Sequence, residues 1–136
     1  MHNQKILPYY RFYPWECRMM DLEGCAIWTI YSPQGDGWDS RDGFDDGIAW
    51  RGLNRKPIPT KRLEAVREGL EDVAYMDRLE KELARAGKGR YPAFEKLLEE
   101  RAEIVKAEDQ KRVDAWRLAV GRAIDSLVAN GGKTAK

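Results

Sequence analysis

Residues 57–85 read PIPTKRLEAVREGLEDVAYMDRLEKELAR, and this stretch organises the rest of the 136-residue chain. Two prolines and Thr60 open it, and a threonine side chain can accept from the orphan N–H groups at a helix start. No further proline follows for more than twenty residues, so the spacing predicts one long helix over Pro57–Arg85. Leu63, Val66, Leu70 and Val73 recur at helical spacing. The apolar stripe then drifts to Met76, Leu79 and Leu83, which implies that the last turns meet a different neighbour. Gly69 interrupts an otherwise good helix former at a cost of about 1 kcal/mol relative to Ala, which implies that another backbone passes close by. Glu68, Glu71 and Asp72 surround it. The helical rotation turns Glu68 and Asp72 toward the Met76/Leu79 side and leaves Glu71 beside Arg67. Charged residues on a helix are usually its solvated, salt-bridged face, so these three read as packing and ion-pair groups first and as a catalytic pair second.

Working outward on the N-terminal side, residues 33–56, PQGDGWDSRDGFDDGIAWRGLNRK, form a long loop with five Gly and five Asp. Trp38, Phe44 and Trp50 are spread through it, which argues against disorder. Loops of this length in compact domains usually carry function. The alternative is structural, with the tryptophans plugging the base of the loop. The stretch Gly24–Ser32, GCAIWTIYS, is a nearly continuous apolar run and predicts a strand buried on both faces. Unless residues 1–13 supply a partner, its backbone groups must be met by strands from outside the chain. Upstream, Leu7-Pro8 and the cluster Tyr9, Tyr10, Phe12 and Tyr13 predict an extended segment, and Pro14 the first turn of a short helix ending near Gly24.

On the C-terminal side, Gly87-Lys88-Gly89 marks a break. Pro92–Lys106 shows Phe94, Leu97, Leu98, Ala102 and Val105, and Asp109–Asn130 shows Val113, Trp116, Val120, Ile124 and Leu127. The polar run KAEDQKR is the expected joint of a helical hairpin, with one continuous helix as the alternative. Trp116 reads as core before ligand platform.

Composition excludes several classes. Lys+Arg 24 against Asp+Glu 23 leaves a net charge of +1 with no basic block, so phosphate-neutralising binding to nucleic acid is not expected. No apolar run approaches the roughly 20 residues of a membrane span, and residues 1–10 lack a signal-peptide core. Cys17 and Cys25 are the two cysteines and read as small buried hydrophobes, with a disulfide as the alternative. His2 is the sole histidine, so neither a zinc site nor a Ser/His/Asp or Cys/His catalytic set can be assembled. The Asp/Gly-rich loop fails the EF-hand pattern: Arg41 sits among the acids and no glutamate closes it. No cofactor or metal is expected, and no compartment is assigned.

Three segments together resemble the C-terminal end of the barrel domain of glycoside hydrolase family 123. They are Arg11-Phe12-Tyr13-Pro14-Trp15 running to Gly24-Cys25-Ala26-Ile27-Trp28, then Asp45-Asp46-Gly47-Ile48-Ala49-Trp50, then residues 59–72, PTKRLEAVREGLED. The last is the most specific, matching S/T-x-R-x-E-A-x-R-x-G-x-E-D-x-E/A-Y at every fixed position to Tyr75. The resemblance covers about residues 9–86 well and the tail loosely. It implies an α/β, mostly helical chain: the last βα unit of a (β/α)8 barrel over residues 1–86, a helical hairpin over 87–130 and a disordered tail over 131–136. Gly24–Ser32 becomes the last barrel strand and Pro57–Arg85 the last helix. Loops after the strands of such barrels form the active face. Trp28, Trp38 and Trp50 then become sugar-stacking residues, and Asp36, Asp39, Asp45 and Asp46 become hydroxyl acceptors, Asp45 foremost.

The family is similar to other hexosaminidases in using the substrate's own acetamido group as nucleophile, oriented by an acidic pair. That pair lies on an earlier strand and has no match here, so no catalytic residue is assigned. A complete barrel takes about 250 residues, so the expectation is a C-terminal fragment of a protein acting on N-acetylhexosamine glycans, lining one wall of the sugar site. Carbohydrate is then the expected ligand, with pairing to the missing barrel portion or self-association through the exposed strand. The alternative is a non-catalytic helical interaction module.

Overall fold

The computed structural model describes residues 6–27, 30–32, 46–52, 54, 56–87 and 89–131. The described chain is mostly helical, with short strands, as an α/β mostly helical reading requires. Two compact units divide it, Met1–Gly69 and Leu70–Lys136. The division falls inside one long helix, where the stripe of apolar residues changes direction.

In the first unit, α1 spans Ile6–Met19 and carries Pro14 inside it. The expected extended segment over residues 1–13 is therefore helix from Ile6 onward. Pro8 falls in the first turn, where no intrahelical N–H is required. Aromatic rings at helical spacing then favour the turn: Tyr9 stacks on Tyr13 with centroids 6.2 Å apart, and Phe12 meets Trp15 edge-on at 5.7 Å. Pro14 still removes one ladder bond, and the buried Phe12, Trp15 and Cys17 offset it. The helix ends before Gly24. Asp21 takes the left-handed conformation at φ 58° while Leu22 N–H donates to the Cys17 carbonyl at 3.0 Å.

The expected strand over Gly24–Ser32 shrinks to β1, Tyr31–Ser32, among the described residues; Gly24–Ile27 are not in a strand, and the Tyr13 hydroxyl donates to the Ala26 carbonyl at 3.0 Å. A partner for β1 comes from within the chain. β2, Asp46–Gly47, pairs with it antiparallel, Tyr31 opposite Gly47 and Ser32 opposite Asp46. The end of the expected loop also forms β3, Ala49–Arg51, which pairs antiparallel with β4, Pro57–Pro59. Gly52 N–H donates to the Lys56 carbonyl at 2.8 Å and Asn54 sits at φ 62°, so the turn is closed by a residue type that tolerates this conformation. Pro57–Pro59 is thus an edge strand rather than the first helical turn.

The long helix α2 runs Lys61–Ala86. Thr60 caps it, its Oγ1 accepting from Arg62 N–H at 3.2 Å and Leu63 N–H at 3.3 Å. The N-terminal half buries Ala65 and Val66, and at Gly69 the backbone meets α1: an added Cβ would collide with the Arg11 carbonyl oxygen. The close approach inferred from the mid-helix glycine is realised.

In the second unit the buried side is Asp72, Met76, Leu79 and Leu83, and Leu70, grouped with the core by spacing, is half exposed. After Gly87, at φ 98°, come α3 (Pro92–Glu99), α4 (Arg101–Ala107) and α5 (Gln110–Gly131). The expected Pro92–Lys106 helix is interrupted at Glu100, and the joint in KAEDQKR falls at Glu108, φ 49°. Asp109 then accepts from Lys111 and Arg112 N–H at 2.9 and 3.3 Å to start α5. Val113, Trp116, Val120, Ala123 and Leu127 are buried along α5, and Ile104 is buried on α4. Trp116 is core, its indole N–H donating to the Leu97 carbonyl at 2.8 Å. Arg101 on α4 pairs with Glu80 on α2 at 2.8 Å.

Candidate functional site

The site is built where β1, β3 and β4 meet. Ile30 presents its carbonyl to two donors at once, Ile48 N–H and Ala49 N–H, each at 3.0 Å. Gly47 permits that approach: a Cβ there would stand 2.8 Å from the Ile30 oxygen. The start of α2 fastens the same segment. The Thr60 hydroxyl donates to the Ile48 carbonyl at 2.6 Å, and Arg62 Nη1 donates to the Gly47 carbonyl at 3.1 Å. Arg62 also lies 5.9 Å over the Tyr10 ring. Residues 47–49 are therefore held from both sides, and Trp50 follows on a fixed backbone.

Trp50 is half-buried and stands edge-on to Tyr31, centroids 6.0 Å apart at 86°. With Ile30, Ala49, Arg51 and Pro57 these rings line a shallow, mainly apolar recess of about 300 Å³. Ile30 is 67% exposed, an apolar side chain left at the rim. An indole and a phenol ring at right angles offer a flat apolar face beside a hydroxyl, and Arg51 adds guanidinium donors at the edge. Such a surface can stack the apolar face of a ring and hydrogen-bond its polar edge.

Of the residues singled out for sugar contact, Trp50 is placed at this recess. Trp28, Trp38 and Asp45 lie outside the described residues, as do Asp36 and Asp39, while Asp46 contributes its backbone to β2. Tyr31, Ile30 and Arg51 were missed as site residues. The signal for Tyr31 was present in its position at the end of the apolar run, but its pairing with Trp50 depends on strand register, which the linear pattern does not contain.

Asp72, Glu71 and Glu64 of α2 each hold an arginine. Asp72 is 0% exposed and accepts from Arg117 Nε at 2.5 Å, with Glu71 3.8 Å from the same guanidinium. Glu64 holds Arg67 at 2.7 Å, one turn along. Thr60, Arg62, Glu64, Arg67, Gly69 and Asp72, which carry the most specific part of the family resemblance, each have a cap, ion pair or close backbone contact to account for them.

Cys17 and Cys25 are free thiols, Cys17 buried. Burial, and then the neighbouring Cys17, push the Cys25 thiol above its ordinary 9.0. Among the described residues no cluster of three or more His, Cys, Asp or Glu is placed to hold a metal ion, and no helix is long and apolar enough to cross a membrane.

Comparison of the chain with protein-family models, with curated proteins and with solved structures returns no match. The likeness to glycoside hydrolase family 123 therefore rests on the residues quoted for it.

Proposed function

We propose that this chain is the C-terminal part of a glycoside hydrolase family 123-like protein acting on N-acetylhexosamine-containing glycans, and that it contributes one wall of the sugar site. The observation that carries the reading is the Tyr31–Trp50 pair lining an apolar recess with Arg51 at its edge. Sugar sites need a flat apolar surface for the ring face and fixed donors or acceptors for the hydroxyls. The strand pairs among the described residues are antiparallel, so the parallel neighbours of a barrel strand would have to come from outside this chain. In this proposal the acid pair that orients the acetamido group also comes from outside, and the chain alone has no hydrolytic activity. General acid catalysis is worth about 10²–10⁴-fold, and nucleophile positioning adds more, so the isolated chain should leave an aryl N-acetylgalactosaminide intact.

The test is binding rather than turnover. Titrating the chain with N-acetylgalactosamine oligosaccharides should quench tryptophan emission saturably, and Trp50→Ala should abolish the response while circular dichroism stays unchanged. A response that survives Trp50→Ala, or hydrolysis abolished by changing an acid within the chain, refutes the proposal. A second reading, a non-catalytic helical interaction module, is favoured by Leu118 and Val128, which are 56% and 48% exposed on α5. Absence of any sugar response together with a partner-dependent rise in melting temperature would select it.

A further inference from the structure

We infer that the second unit holds a separate binding site for a small organic phosphate monoester, at the end of α2 nearest Gly87. A cavity of about 410 Å³ opens there, lined by Arg78, Glu82, Arg85, Arg90, Tyr91 and Leu127 among others. That volume is in the range of small-ligand pockets, roughly 300–1,000 Å³.

The charges decide the class of ligand. Arg78 and Arg85 both reach Glu82 Oε1, at 3.0 and 2.9 Å, and the Glu82 side chain is 7% exposed. One buried carboxylate thus holds two guanidinium groups in place and neutralises one of them. Arg90 adds a third, its guanidinium carbon 5.9 Å over the Tyr91 ring. Ala86 ends α2, and Asn130 lies in the last turn of α5, so the partial negative charge of two helix ends takes up part of the excess. The pocket stays cationic. Each guanidinium carries five N–H donors in a planar fork, the geometry that matches a tetrahedral oxyanion bidentately. A phosphate monoester carries about −1.5 to −2 charges near neutral pH, which suits a pocket with three cations and one anion better than a single carboxylate does. Tyr91, Leu127 and Val128 supply the apolar wall for the organic part. The Tyr91 ring lies parallel to Phe94, 2° apart with centroids at 5.7 Å, which fixes the orientation of that ring.

This site is independent of the Trp50 recess and of the glycan reading. The test is isothermal titration calorimetry of the full chain at low ionic strength with phenyl phosphate, inorganic phosphate and phenol. The expected result is saturable binding of phenyl phosphate, weaker binding of inorganic phosphate and none of phenol. Arg90→Gln should weaken phenyl phosphate about tenfold, the loss of one charge-assisted contact, and Arg85→Gln by a similar factor. Arg85→Gln also disturbs the Glu82 pair, so its melting curve is measured alongside; Arg90, on the exposed turn before α3, keeps the test decisive if Arg85→Gln is unstable. Lys61→Gln, at the far end of α2, should bind as the parent does. No saturable binding, equal affinity for phenyl phosphate and inorganic phosphate, or unchanged affinity in Arg90→Gln each overturns the inference.

Discussion

Gly69→Ala sets helix propensity against packing at a position where both can be sized. In an isolated helix the change should stabilise by about 1 kcal/mol. Here the new Cβ would collide with the Arg11 carbonyl oxygen and would stand 3.0 Å from its carbon and 3.2 Å from Pro14 Cγ. Two of those three atoms are backbone, inside α1, and cannot rotate away as a flexible side chain would. Relief requires the α1 backbone and the start of α2 to move apart, in a unit whose core includes the buried Phe12, Trp15 and Val66. Overpacking of this kind costs about 1–3 kcal/mol and occasionally more, and a backbone obstacle puts it at the upper end. Net destabilisation should therefore be about 1–2 kcal/mol after the propensity gain is subtracted. The assay is urea unfolding followed by circular dichroism, with Gly121→Ala as the internal control. At Gly121 the nearest atom to an added Cβ is Tyr75 Cε1 at 3.6 Å, an ordinary contact, so that variant should gain up to about 1 kcal/mol. If Gly69→Ala is as stable as Gly121→Ala, the close-approach argument is wrong.

Asp72→Ala should cost about 3 kcal/mol, because it strips a fully buried carboxylate from Arg117 and leaves the cation partly buried; a midpoint shift near that of a surface change would contradict it. Thr60→Ala removes the cap of α2 and the 2.6 Å bond to the Ile48 carbonyl, so a loss of about 1–2 kcal/mol is expected in thermal unfolding, and no loss would show the cap to be idle. Burial disfavours the Cys25 thiolate, so at fixed pH less nucleophile is present than for an ordinary thiol. Alkylation of Cys25, mapped by peptide mass, should rise with a midpoint above pH 9.0, and a midpoint below it would refute the assigned cause.

What the linear pattern settled about this protein is what depends on neighbours in sequence. Thr60 as a cap, the run of α2, the joint at Glu108-Asp109 and the apolar side of α5 all follow from turn chemistry and a 3.6-residue period, which act within a few residues. The drift of the stripe from Val66 toward Met76 and Leu79 signalled a change of neighbour along α2, but the boundary was read at residues 86/87, whereas the two units divide at Gly69 and Leu70. Gly69 announced a close contact because its cost is local, although the contacting Arg11 carbonyl is not. The strand misread has a long-range cause. Strand pairing is set by backbone groups far apart in sequence, so the partner of Tyr31–Ser32 emerged from the Asp/Gly-rich stretch and not from the pattern of the strand itself. α1 overrode an extended reading of its aromatic residues because ring stacking at helical spacing and burial of Trp15 outweigh the donor missing at Pro14. The Tyr31–Trp50 corner and the Arg78–Arg85–Arg90 cluster belong to the same class: each gathers side chains through register or helix packing, and tertiary structure alone decided which of them face one another.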